Sequence, residues 1–111
     1  MAFRISTEQI EALSEVQTER FYERVVAFVT EHVPAEAEAH GQDRLRQQLP
    51  EFHAACREIG MESERSIAFL LSASLMLHRN VLQDPTVAEC LRAEGGEPTR
   101  LDAAMNVLRQ E

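Results

Sequence analysis

The side chains best suited to chemistry are His53 and Cys56, in the spacing H-x-x-C, followed by His78 and Cys90. Histidine and cysteine together can hold zinc, and a cysteine beside a histidine can be activated as a nucleophile. The pattern speaks against both uses. A zinc site legible in sequence pairs its ligands as C-x-x-C or H-x-x-x-H, and neither pairing occurs here. Neither cysteine stands at a helix start, where the thiol would be acidified, and no oxyanion loop is recognisable. His53 follows Phe52 on a helix that already has a core face, so packing at the edge of a core is its expected role. No metal or cofactor is expected, and the turn "EGGEP" is too acidic to cradle a phosphate. A metal-dependent or thiol-based sensor or enzyme using His53, Cys56, His78 or Cys90 is the alternative to a non-enzymatic reading.

Charge narrows the partners. Eleven basic residues, all arginine, against nineteen acidic ones give a net charge of -8. Binding to nucleic acid or to an anionic membrane needs a basic face, so neither partner is expected. Glu8, Glu11, Glu15 and Glu19 recur at helical intervals and share one face. That face is either a solvated one, partly paired with Arg20 and Arg24, or an electronegative strip that docks a basic protein. The four glutamates are the candidate partner-binding residues. The opening "MAFRISTEQ" has no apolar core of a signal peptide, which points to a cytoplasmic protein with reduced thiols.

The elements that must position these residues are helices. At 111 residues with 44% hydrophobic content, the chain is long enough for one domain with its own core. Ser6 and Gln9 have the form of a capping box, opening a long amphipathic helix with Ile10, Leu13, Phe21, Val25, Phe28 and Val29 on one face. It runs to Pro34, with a bend expected near Gln17 and Thr18, where the apolar stripe thins. "PAEAEAHG" reads as a short helical turn ending at Gly41. Leu45, Leu49, Phe52, Cys56 and Ile59 mark the next helix, which Pro50 is expected to kink or break in two. Ser63 caps the run "ERSIAFLLSASLML", apolar nearly all round. A membrane span needs about 20 such residues, so this shorter run is the buried central helix of a soluble domain. Ile67, Leu70, Leu71, Leu75 and Leu77 are expected to be buried against the first helix, with Ser72 and Ser74 bonded to backbone carbonyls. Asp84 and Pro85 open a short helix that stops at Gly95 and Gly96, and Pro98 opens a last one. The expected fold is therefore all-α, a single-domain compact bundle of five to six helices around a buried central helix.

The succession "ERFYERVVAFVTEHVPAEAEAHG", "REIGMESERSIAFLLSASLML", "DPTVAECL" and "TRLDAAM" resembles a family of small helical bacterial proteins. That family is associated with gene neighbourhoods of type VI secretion and polymorphic toxins. The resemblance implies a protein-binding module, not an enzyme: an immunity, adaptor or chaperone protein for a secreted toxin. Its partner would be a basic toxin or a secretion spike component. The chain departs from the family's pattern at "HRNVLQ" and at Pro50. If the acidic strip is only solvated, the turn "HRNVLQDP" is the next place to look for a docking surface.

Overall fold

Local signals in the chain set where each helix starts and stops, as the computed structural model shows. The structure describes residues 7–110, and side chains from residue 17 onward. The helices are α1 (Thr7–His32), α2 (Pro34–His40), α3 (Gln42–Glu58), α4 (Glu64–Leu77), α5 (Pro85–Arg92) and α6 (Glu97–Arg109). One 3₁₀ turn, Val81–Gln83, sits between α4 and α5, and no strand occurs among the described residues. The fold is all-α. No helix among the described residues is long and apolar enough to cross a membrane. The Ser6–Gln9 capping box and the side chains of Glu8, Glu11 and Glu15 lie outside what is described.

Two caps work as the sequence implies. The Ser63 side chain accepts a hydrogen bond from the Ser66 amide, and Asp84 Oδ1 accepts from the Thr86 and Val87 amides. Gly41 and Gly60 end α2 and α3 with positive φ, a conformation open to glycine at little cost. Pro50 does not break α3, which runs as one helix from Gln42 to Glu58. The proline faces solvent, so water can satisfy the carbonyl left without its helical donor.

The core forms where helix faces converge. Val25 and Val29 of α1, Leu45, Leu49 and Cys56 of α3, Ile67 and Leu70 of α4, and Leu91 of α5 are essentially inaccessible. Helix α4 packs on α1, and α5 on α6. The buried part of α4 is its first half and middle, where Ser66, Ile67, Ala68, Leu70, Leu71, Ser72 and Ala73 lie inside. The last turn of α4 departs from expectation: Leu75 and Leu77 are only half-buried, and Met76 is 57% exposed. Leu75 lines one edge of a groove and lacks cover on that side. Ser72 and Ser74 donate to the carbonyls of Ala68 and Leu70 at 2.8 and 2.9 Å.

Polar contacts pin the start of α4 and its neighbours. The Glu97 carboxylate accepts from the Ser63 amide at 2.8 Å. Desolvation works to raise the Glu97 pKa, but hydrogen bonds from Ser63, Ser66 and Glu62 outweigh it and hold the group below its usual value. Nearby, Arg100 of α6 donates to the carbonyls of Leu91 (2.6 Å) and Gly60 (3.1 Å). That clamp fastens the carboxy-terminal end of α5 beside the α3–α4 turn.

Candidate binding groove

The four side chains singled out for chemistry have separate fates. Cys56 is fully buried, and burial pushes its thiol up to about 12, with the Glu97 charge acting in the same direction. A thiol so protonated is a poor nucleophile. His53 shares a hydrogen bond with the Tyr22 hydroxyl at 3.0 Å and lies against the Phe21 ring, centroids 4.9 Å apart. Burial, followed by the Arg57 charge, lowers its pKa, and the ring's tautomer sets which of the two groups donates in that bond. Cys90 is half-buried on α5 and packs against the core. His78 is exposed, in a left-handed conformation (φ 56°) at the end of α4. Among the described residues, no three His, Cys, Asp or Glu side chains gather where they could hold a metal ion.

Of the acidic strip, only the Glu19 side chain is described. It is exposed and forms an ion pair with Arg46 of α3. Arg46 also lies over the Tyr22 ring, 4.7 Å from its centroid. Arg24 pairs with Glu64 at the start of α4 (2.5 Å). Glu19 and Arg24 thus fasten α1 to α3 and α4 as exposed ion pairs, each worth about 0–1 kcal/mol.

A concave feature among the described residues lies elsewhere. An open groove of about 820 Å³ runs between α2 and α3 on one side and the end of α4, the 3₁₀ turn and α5 on the other. Phe52, Ile59, Leu71, Leu75 and Leu82 supply its apolar floor. The α3 side carries Gln48, Glu51, Ala55 and Glu58, with Arg44 at its α2 end. The opposite side carries His78, Arg79 and Arg92. Left-handed His78 directs the chain off α4, so that the turn "HRNVLQDP" builds this wall.

That wall is braced from within. Arg79 Nη1 donates to Asp84 Oδ2 at 3.1 Å, and the Val81 amide donates to Ser74 Oγ at 3.2 Å. Desolvation tends to raise the Asp84 pKa, but bonds from the Val87 and Thr86 amides and from Arg79 hold it below the usual range. The Arg100 clamp fixes Leu91, and with it the neighbouring Arg92, close to the Gly60 end of the groove.

Sequence reasoning pointed to the turn but missed the α3 wall. Arg44, Gln48, Glu51, Ala55 and Glu58 each precede one of the core residues Leu45, Leu49, Phe52, Cys56 and Ile59. The second stripe therefore runs beside the first at the same helical spacing. Its polar composition disguised it as solvated surface.

Neither a protein-family model, nor a curated protein, nor a solved structure matches the chain. None of the comparisons bears on the toxin-associated resemblance. The groove's own chemistry has to carry the functional argument.

Proposed function

We propose that this chain is a non-enzymatic protein-binding module whose groove between α3 and α4 receives a segment of a partner polypeptide. The observation that carries this reading is the groove's apolar floor, flanked by side chains of both charge signs. Apolar anchors with a polar rim are the makeup of protein-binding sites. A small anionic amphiphile would satisfy the arginine side and be repelled by Glu51 and Glu58. A polypeptide can answer both sides at once. The net charge of -8 adds long-range attraction for a basic partner, to which Glu8, Glu11, Glu15 and Glu19 contribute.

The resemblance in sequence proposes the finer role of an immunity, adaptor or chaperone protein for a secreted toxin or spike component, acting in the cytoplasm. The deeply buried Cys56 thiol supports the non-enzymatic reading over a thiol-based sensor. The test is site-specific photocrosslinking in the native host, from Ala55 in the groove and from Asp102 on the exposed face of α6. Ala55 should trap a defined protein that Asp102 does not, and Leu75→Arg should abolish the product. Equal trapping from both positions, or a product indifferent to Leu75→Arg, would overturn the groove as the site.

A further inference from the structure

We infer that the occupant of the groove is an amphipathic helix with split flanks: basic residues on the flank facing Glu51 and Glu58 of α3 and acidic residues on the flank facing Arg92 of α5. This rests on the groove being a polypeptide-binding site and adds the chemistry of what binds. Three observations lead there.

The first is shape. The α3 wall from Arg44 to Glu58 spans fourteen residue steps, about 21 Å at 1.5 Å per residue, or about four helical turns. Residues on this wall repeat at helical spacing, as do Leu71, Leu75 and His78 on the other side. A groove framed by two helical ridges accepts a third helix with anchors at i, i+3/i+4 and i+7.

The second is unspent charge. Glu51, Glu58 and Arg92 are exposed and make no ion pair or side-chain hydrogen bond among the described residues. Arg79, in contrast, is engaged by Asp84. The groove's open charges are therefore acidic along the second half of α3 and basic at Arg92, while exposed Arg44, likewise without an ion pair among the described residues, makes the α2 end of the α3 wall basic.

The third is placement. The Arg100 clamp holds Leu91 and Gly60 together, which puts Arg92 at the same end of the groove as Glu58. The charge contrast across the groove is sharpest there. Reversing a helix end-for-end in a groove exchanges its two flanks, so a split-flank helix satisfies both walls in only one direction. The walls therefore specify the direction of the occupant as well as its charge, which is specificity by repulsion of the wrong pose.

The probe is a displayed library of four-turn helical peptides. Its anchor stripe varies among Leu, Ile, Phe, Met and Ala, and its flanks vary among Arg, Glu and Gln. It is selected on wild type, on Glu51→Arg/Glu58→Arg, on Arg92→Glu and on Leu75→Arg. All the reversed side chains are exposed, and a circular dichroism melt checks that each variant keeps its fold. Wild type should enrich split flanks, Glu51→Arg/Glu58→Arg should enrich acidic residues on both flanks, and Arg92→Glu basic residues on both. A selected split-flank peptide should bind the double reversal about tenfold more weakly, as two exposed attractions become repulsions. The same flank composition on all three proteins, with the apolar stripe still enriched, would refute the split-flank helix while leaving the groove as a docking site. No enrichment beyond that on Leu75→Arg would refute both.

Discussion

Cys56 should report on opening of the core, and thiol labelling measures this directly. Its side chain has no exposed surface, and burial raises its pKa from the ordinary 9.0 to about 12. At pH 8 that rise leaves about a thousandfold less thiolate, the form that attacks a disulfide reagent. Access is the larger barrier. A domain with a stability of about 5–10 kcal/mol is open in roughly one molecule in 10⁴ to 10⁷, and the sulfur meets reagent only then. Cys90, half-buried on α5, needs no such opening. Ellman's reagent should therefore titrate one thiol per chain rapidly and the second more than about a thousandfold more slowly. In a denaturant series the slow rate should rise with the unfolded fraction and merge with the fast one at full unfolding. Two thiols reacting within one order of magnitude in native buffer, with helicity intact, would refute the burial argument. It would also reopen the thiol-based alternative.

Two further outcomes follow from packing and from protons. Leu70→Ala removes a fully buried side chain and should cost about 2–5 kcal/mol in urea unfolding, whereas Met76→Ala, on the exposed last turn, should stay within about 0.5 kcal/mol of wild type. His53 and Glu97 both have lowered pKa values in the folded chain, so each adds stability that is complete above its unfolded pKa and lost as pH falls through its folded one. Urea midpoints should thus decline first below about pH 6.5 and again below about pH 4.3, with Glu97→Gln flattening the second decline. A midpoint that rises on acidification through either range would contradict the assignment.

Most of the helix boundaries were legible because they rest on local chemistry. Ser63, Asp84 and Pro85 announce helix starts, and Gly41 and Gly60 announce stops, without reference to the rest of the chain. Pro50 was harder to read, since its effect depends on whether the freed carbonyl reaches water, which only the packing reveals. The apolar run of α4 was recognisable as core. The exposure of its last turn was not, because hydropathy does not say where neighbouring helices end. The groove illustrates the same divide. One wall is built by the "HRNVLQDP" turn that departs from the resembling family, with Arg92 of α5 beyond it, whereas the other is a polar stripe on α3 that gains meaning only from the helices opposite. The Arg100 clamp, which brings α5 and α6 to the α3–α4 turn, joins residues forty positions apart and left no local trace.

The central claim is that a partner polypeptide sits in the groove and not on the acidic strip of α1. Amide chemical-shift mapping tests it most directly, with ¹⁵N-labelled protein titrated with the protein trapped from Ala55. The account predicts perturbations that concentrate on residues 44–59, on residues 71–83 and on Arg92, and that vanish for Leu75→Arg. Perturbations confined to residues 8–19, with the groove silent, would contradict it.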